Sequence, residues 1–380
     1  MKSKQTTEPT QSQYQFPCTQ CGALLQYQPG TVHLRCTYCG HTNDIDTEQQ
    51  QSIKEYDLQG ALQELNNSQP VTVTAKQQAH CDACGANFKF ANHIHAGECP
   101  FCGTNIVISS SNNAVIPPKS LLPFLIENTT AQASFHKWLA GLWFAPNKLK
   151  KYARDDTKLL GIYLPYWTYD SHTQSYYTGA RGVTYYVTQR VSYVENGRQV
   201  TRNKRVPKIR WTNVHGQVSR FFDDVLVGAS RSLPRKIIDQ LHPWDLEQLV
   251  PYNEKYISGF QSEVYQVNLD EGFDHAKQQM DGIIRRDITY DIGGDHQRIY
   301  QVNTQHSHTT YKHCLLPIWS AAFQYHNQTY RFVVNGRTGK VQGERPYSYW
   351  KIAFAVIMGL IIIGGGLTYL QQSGVFEQTY

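Results

Sequence analysis

The chain lacks the marks of a motor, a serine hydrolase or a zinc protease. Its single Gly-Lys pair is Gly339-Lys340. A phosphate-binding P-loop would need glycine at 334 and Ser or Thr at 341, where this chain has Val334 and Val341. No G-x-S-x-G elbow and no H-E-x-x-H motif occurs. The first residues, MKSKQTTEPTQSQYQF, hold no apolar core of the kind a secretory signal needs. Residues 1–15 are read as a disordered tail. Positive charge is scarce in the first third: residues 1–110 hold six Lys/Arg against nine Asp/Glu. These absences exclude a nucleotide-driven helicase motor and argue against a nucleic-acid role for the N-terminal third.

Cysteine, by contrast, is present in a pattern. Eight of the nine cysteines form two copies of C-x2-C-x14-C-x2-C. The first is Cys18, Cys21, Cys36 and Cys39; the second, displaced by 63 residues, is Cys81, Cys84, Cys99 and Cys102. Each pair is followed by glycine (Gly22, Gly40, Gly85, Gly103), which can take the positive φ that lets backbone N–H groups approach sulfur. The spacing predicts two zinc ribbons, at 16–45 and 76–108, with two structural Zn²⁺ ions. Four thiolates close the coordination shell and leave no position for water, so the metal is structural. The competing reading is disulfide pairing in a secreted scaffold. His33, His41, His93 and His95 lie beside the ribbons and are read as surface or packing residues.

Ile352–Leu370 is a run of 19 residues without a charge, about 28 Å long as a helix. It predicts a transmembrane helix at 350–370, with a short extracytoplasmic tail at 371–380. Arg331, Arg337, Lys340, Arg345 and Lys351 precede it, and no Lys or Arg follows. The positive-inside rule then places the bulk of the chain in the bacterial cytoplasm, single-pass in the inner membrane, with lipid as one partner.

Between the ribbons, 46–75 reads as a linker with a short helix on Leu58, Ala61, Leu62 and Leu65. A second linker, with an amphipathic helix carrying Phe135, Trp138, Leu139, Leu142 and Trp143, occupies 109–160. From 161 to 349 short alternating runs of Tyr, Val and Thr predict a β-rich α+β domain. Val183–Val194 and Arg198–Trp211 flank Asn196-Gly197, the favoured type I′ hairpin turn. Helices are expected near 234–250 and 272–285. Leu164-Pro165-Tyr166-Trp167 is echoed by Leu316-Pro317-Ile318-Trp319, a candidate internal repeat. The fold class is therefore multidomain α+β: two ribbons, a β-rich domain and one C-terminal transmembrane helix.

Basic residues concentrate at Lys148–Arg154 and at Arg198, Arg202, Lys204, Arg205, Lys208 and Arg210. In a membrane-tethered chain they suit anionic lipid headgroups; the alternative is a solvated hairpin tip. Asp291-Ile292-Gly293-Gly294-Asp295-His296, with His306, His308 and His313 downstream, is the densest chemical stretch, yet it lacks a third placed metal ligand. Asp223-Asp224 reads as structural or as an interaction site, and Cys314 as a buried thiol. No catalytic residue is assigned.

Five ordered strings carry a resemblance: YLPYWTYD at 163–170, YTGARG at 177–182, FFDDVLVGASRSLP at 221–234, DIGGDHQ at 291–297 and NGRTGKVQGERPYS at 335–348. Across about 16–370 the chain resembles a bacterial double zinc-ribbon family of TFIIB type. That family is often labelled primosomal protein N′ (replication factor Y)-like superfamily II helicase. It is also similar to the membrane-anchored ribbon protein encoded beside a phage shock protein A homologue. The resemblance implies a non-enzymatic, membrane-tethered adaptor that recruits cytosolic proteins in envelope stress, an ESCRT-III-like phage shock protein homologue among them. The alternative is a nucleic-acid-binding protein linked to replication or transcription.

Overall fold

The computed structural model describes residues 13–14, 16–46, 53–67, 78–80, 87–89, 94–98, 105–108, 116–146, 159–195, 198–325, 328–344 and 348–372. In the first ribbon, β1 (Leu25–Tyr27), β2 (His33–Cys36) and β3 (Thr42–Asp44) make a small antiparallel sheet. β4 (Tyr56–Asp57) runs into α1 (Leu58–Asn67), where the Asp57 carboxylate accepts the Gly60 N–H at 2.6 Å and caps the first turn. β5 (Ser120–Leu121) and α2 (Asn128–Gly141) follow.

The body is carried by long strands. β6 (Leu160–Glu195) pairs antiparallel with β7 (Arg198–Gly228) on one side. On the other side it pairs with β9 (His296–Tyr325), while β8 (Gln261–Glu263) adds a short parallel pairing at its start. β10 (Gln328–Asn335) and β11 (Val341–Gly343) extend the sheet beyond β9. The paired strings of the candidate repeat lie side by side: Leu164 faces Leu316 in antiparallel register.

Alternation sorts the side chains of β6 by face, as a pleated strand requires. Trp167 and Tyr169 pack beneath α4 (Leu269–Ile292), whereas Leu164 and Tyr166 pack on the other face with α3 (Arg235–Asp239) and Trp244. The α4 stripe is Gly272, Ala276, Met280, Ile284, Ile288 and Ile292, a strict four-residue ridge laid on the sheet. Gly272 sits where the helix comes closest: a Cβ there would collide with Tyr169 Oη and meet Trp167 Cδ1 at 2.8 Å. The polar tips of the two rings beneath α4 are satisfied. Trp167 Nε1 donates to Val267 O at 2.9 Å, and Tyr169 Oη to Leu269 O at 2.7 Å.

The ribbon is joined to this body rather than hanging from it. Tyr27 is edge-on to Tyr256 at 5.2 Å, its N–H donates to Ser258 O at 3.0 Å, and Ser258 Oγ donates to Leu25 O at 2.8 Å. Leu25, Tyr27, Leu34 and Cys36 share one apolar cluster with Phe124, Phe135, Tyr163 and Phe332. Of the amphipathic stripe expected on α2, Phe135 and Leu139 are buried, with Phe135 stacked on Phe332 at 3.7 Å. Leu142 is buried just past the helix, and Trp143 is exposed.

The C-terminal helix α5 (Tyr349–Gln372) requires a correction. Among the described residues no helix is long and apolar enough to cross a membrane. This overturns the expected span at 350–370, the transmembrane element of the fold class and the single-pass inner-membrane placement. Two physical reasons stand out. The apolar run from Ile352 to Ile363 covers only about 18 Å before Gly364-Gly365-Gly366 interrupts it, against a hydrocarbon core of about 30 Å. Four of the five cations counted as its cytoplasmic flank are used in packing. Arg337 pairs with Asp245, Lys340 donates to His242 O, Arg331 donates to Ser232 O, and Lys351 donates to Ala145 O.

Candidate metal centre and a buried acid–lysine cluster

Cys18, Cys21, Cys36 and Cys39 lie close enough to hold one metal ion, with all four sulfurs within 4.8 Å of one another. Cys18 Sγ is 3.7 Å from Cys39 Sγ, and Cys21 Sγ is 3.6 Å from Cys36 Sγ. A tetrahedron with metal–sulfur bonds of about 2.3 Å has edges of about 3.8 Å, so the donor set fits such a centre. The two knuckles are formed alike. Gly22 and Gly40 have φ of 73° and 77°, and backbone N–H groups reach sulfur from Gln20 to Cys18 at 3.4 Å and from Cys39 to Cys36 at 3.5 Å. The Cys39 N–H helps pull the Cys36 thiol down to about 6. Cys21 is pushed up to about 12: the Ala23 N–H acts to lower it, and the sulfurs of Cys39, Cys36 and Cys18 more than offset that. Four crowded thiols thus share protons unevenly, and a central cation would replace those protons. Cys18 and Cys36 are buried, whereas Cys21 and Cys39 face solvent. Cys81, Cys84, Cys99 and Cys102 lie outside the described residues.

A second constellation appears where three strands meet. Beside residues 170 and 171 of β6, the two neighbouring strands each carry one extra residue. β7 inserts Asp223-Asp224 between the pairs Tyr169↔Val225 and Ser171↔Phe222. β9 inserts His308-Thr309 between Asp170↔Thr310 and His172↔Ser307. Each bulge holds a non-glycine residue in the left-handed region: Asp224 at φ 49° and His308 at φ 50°. Asp170, 3 % exposed, answers the first bulge directly, since its Oδ1 accepts the Asp224 N–H at 2.6 Å.

Around Asp170 gather Glu55, Asp224 and Lys312. Lys312 Nζ is 2.7 Å from Asp224 Oδ1 and 3.3 Å from Glu55 Oε1. Asp224 Oδ1 has no well-directed hydrogen bond, so its contact with Lys312 is an ion pair set by distance and not by angle. The Thr310 hydroxyl lies 3.0 Å from Glu55 Oε2 and 3.1 Å from Asp170 Oδ2. Three carboxylates face one ammonium, and below about pH 6 the surplus is relieved by protonation. Burial and the Glu55 carboxyl push Asp170 up to about 6. The Asp170 hydrogen bond holds Glu55 down. The two opposite shifts describe one proton carried mainly by Asp170. Beside the cluster, a cleft of about 300 Å³ is lined by Asp223, Asp224, His242, Trp244, Gln279 and Met280 among others.

The acid- and histidine-rich stretch is dispersed by the fold. Asp291 Oδ2 accepts from Tyr177 Oη at 2.5 Å, and Asp295 Oδ2 accepts the Thr184 N–H at 2.7 Å. His306 lies against Phe273, and His313 Nδ1 is 2.8 Å from Ile116 O. Gly293 ends α4 at φ 63°. Asp291 fastens the end of α4 to the sheet, and the stretch forms no shared metal shell; among the described residues only the cysteines do. Cys314 is fully buried, and burial pushes its thiol up to about 12. The acid–lysine cluster escaped sequence reasoning as a unit, because Glu55, Asp170, Asp224 and Lys312 are far apart in the chain. One signal existed: Asp170 is the lone charge in the aromatic run YLPYWTYD.

Comparison with known proteins gives one informative likeness. The chain is 24 % identical over 366 residues to the uncharacterized protein YdjG of Bacillus subtilis (strain 168), covering 95 % of this chain and 99 % of that one. No family model matches. No solved structure matches.

Proposed function

We propose that the chain is a non-enzymatic zinc-ribbon adaptor that presents a rigid N-terminal surface to a partner protein. The observation that carries this reading is the orientation of the first ribbon. One side is fixed to the body through Leu25, Tyr27 and Leu34, and the metal-holding end faces outward with Cys21, Cys39 and Tyr38, the last 84 % exposed. Four soft thiolates favour Zn²⁺, and a closed tetrahedral shell leaves no position for a reacting water. The second C-x2-C-x14-C-x2-C pattern supports a second ion on Cys81, Cys84, Cys99 and Cys102. The acid–lysine quartet is read as neutralising charge at the paired bulges, since its members are engaged with one another.

Metal analysis of the purified chain should return two zinc ions; one ion would remove the second site. Partner recognition is tested by a binding assay with the phage shock protein A-like bait that the resemblance suggests. Tyr38→Ala and a Cys81→Ser/Cys84→Ser pair should each weaken capture while leaving the sheet's circular dichroism unchanged. Undiminished capture by both variants would sink the adaptor reading for the ribbons.

A further inference from the structure

The β6–β7 hairpin outruns the rest of the sheet. β9 leaves β6 at the pair Gly182↔His296, but β6 and β7 stay in register from Val183↔Arg210 to Glu195↔Arg198. Thirteen residue pairs thus form a two-stranded arm of about 43 Å. Between Val183 and Asn213 there are seven Lys/Arg and one acid, Glu195.

The pleat sorts these charges by face. Arg198, Arg202, Lys204, Lys208 and Arg210 are all even-numbered on one strand, so they share one face of the arm. All five are exposed. Register puts Tyr185, Tyr193 and Glu195 on that face as well, across from Lys208, Val200 and Arg198. Arg210 lies 5.1 Å from the Tyr185 ring and Arg202 lies 5.5 Å from the Tyr193 ring, which holds the guanidinium groups along the ribbon. The other face carries only Arg190 and Arg205, among Thr184, Tyr186 and Ile209.

We infer that this arm is a binding element for double-stranded DNA, a role beyond the adaptor reading and independent of it. A two-stranded ribbon fits a B-form major groove, which is about 12 Å wide. Cations two residues apart are about 6.8 Å apart along the strand, equal to two base-pair rises of about 3.4 Å along the DNA axis. The recognition is of phosphates and groove shape, with the tyrosines stiffening the cation row.

The test is fluorescence anisotropy of a labelled 25-base-pair DNA duplex with the full, zinc-loaded chain. Five phosphate contacts give a slope of log K on log[salt] near −4.5, or about 500-fold weaker binding at 200 mM than at 50 mM KCl. Replacing Arg198, Arg202, Lys204, Lys208 and Arg210 by Gln should cost at least about 100-fold at 50 mM and flatten that slope. The pair Arg202→Gln/Lys204→Gln should lower the slope by about 1.8. Arg285→Gln/Arg286→Gln, exposed on α4, should change neither quantity. Duplex RNA should bind more weakly, because its major groove is too deep and narrow for a ribbon. No duplex binding at 50 mM, a five-residue variant that binds as the parent does, or RNA binding as tightly as DNA would each overturn the proposal. So would polyglutamate competing as well as the duplex, which would identify an acidic protein as the occupant.

Discussion

β6 and β7 build two regions of opposite character from the same pair of strands. Up to Gly182 the pair is a three-stranded core with α4 on one face and α3 on the other. From Val183 onward it is a ribbon open to solvent on both faces. The inner half spends its alternation on burial: Tyr163, Leu164, Tyr166, Trp167 and Tyr169 are each no more than 1 % exposed. The outer half spends it on charge, with cations gathered on one face. What differs is the presence of β9. Where a third strand covers β6, every second residue from Tyr163 to Ser175 is buried, aromatic at Tyr163, Trp167 and Tyr169 and small and polar at Ser171, Thr173 and Ser175; where it ends, parity is free to serve a ligand.

Substitutions separate the two regions by size of effect. The largest is expected at the ribbon that braces the inner half. Cys36→Ser, or removal of metal by a chelator, should unfold the ribbon and uncover Leu25, Tyr27 and Leu34. Loss of bound metal together with a new low-temperature transition in calorimetry would show it; an unchanged melting curve would mean that the metal does not hold this part of the fold. Next is Trp167→Ala, which removes a fully buried ring and its hydrogen bond to Val267, at a cost of about 3–5 kcal/mol in denaturant unfolding.

A smaller effect is expected at the junction of the paired bulges. Asp170 binds its proton more tightly folded than unfolded, so its contribution to stability is fully present below pH 4 and is lost as pH rises through about 6. Glu55, held down, contributes in the opposite sense at lower pH. Between pH 4.5 and 6 stability should therefore fall by about 1 kcal/mol, the shift being discounted for its coupling to Glu55. Asp170→Asn keeps an acceptor for the Asp224 N–H and should flatten that slope. A slope that persists in the variant would place the titration on another group. The smallest effect is on the arm: Tyr193→Ala should shift stability by less than about 0.5 kcal/mol. A loss of 2 kcal/mol there would show that the outer half is packed against something.

Local signals were legible where chemistry is short-range. The cysteine spacing located the four-sulfur cluster, and Asn196-Gly197 located the hairpin whose strands now pair at Glu195↔Arg198. The helix near 130–144 is present as α2, and the one near 272–285 is the middle of the longer α4. The rest depended on register. Nothing in FFDD says that Asp224 will sit opposite Asp170, because that follows from two bulges on strands some 80 residues apart. The basic residues at 198–210 were visible as a cluster, but their facing was not drawn from it. Length and lack of charge make 352–370 look like a span, whereas among the described residues no helix is long and apolar enough to cross a membrane.

The outer strand β7 has one further consequence. Among the described residues its outer edge meets no other strand, and beyond Gly182 the edge of β6 is bare too. Such borders invite a second polypeptide to add itself and start a fibre. Pro207 offers no amide hydrogen at that border, and the flanking lysines and arginines repel an identical copy. The same residues that would welcome a polyanion therefore keep the molecules from stacking on one another.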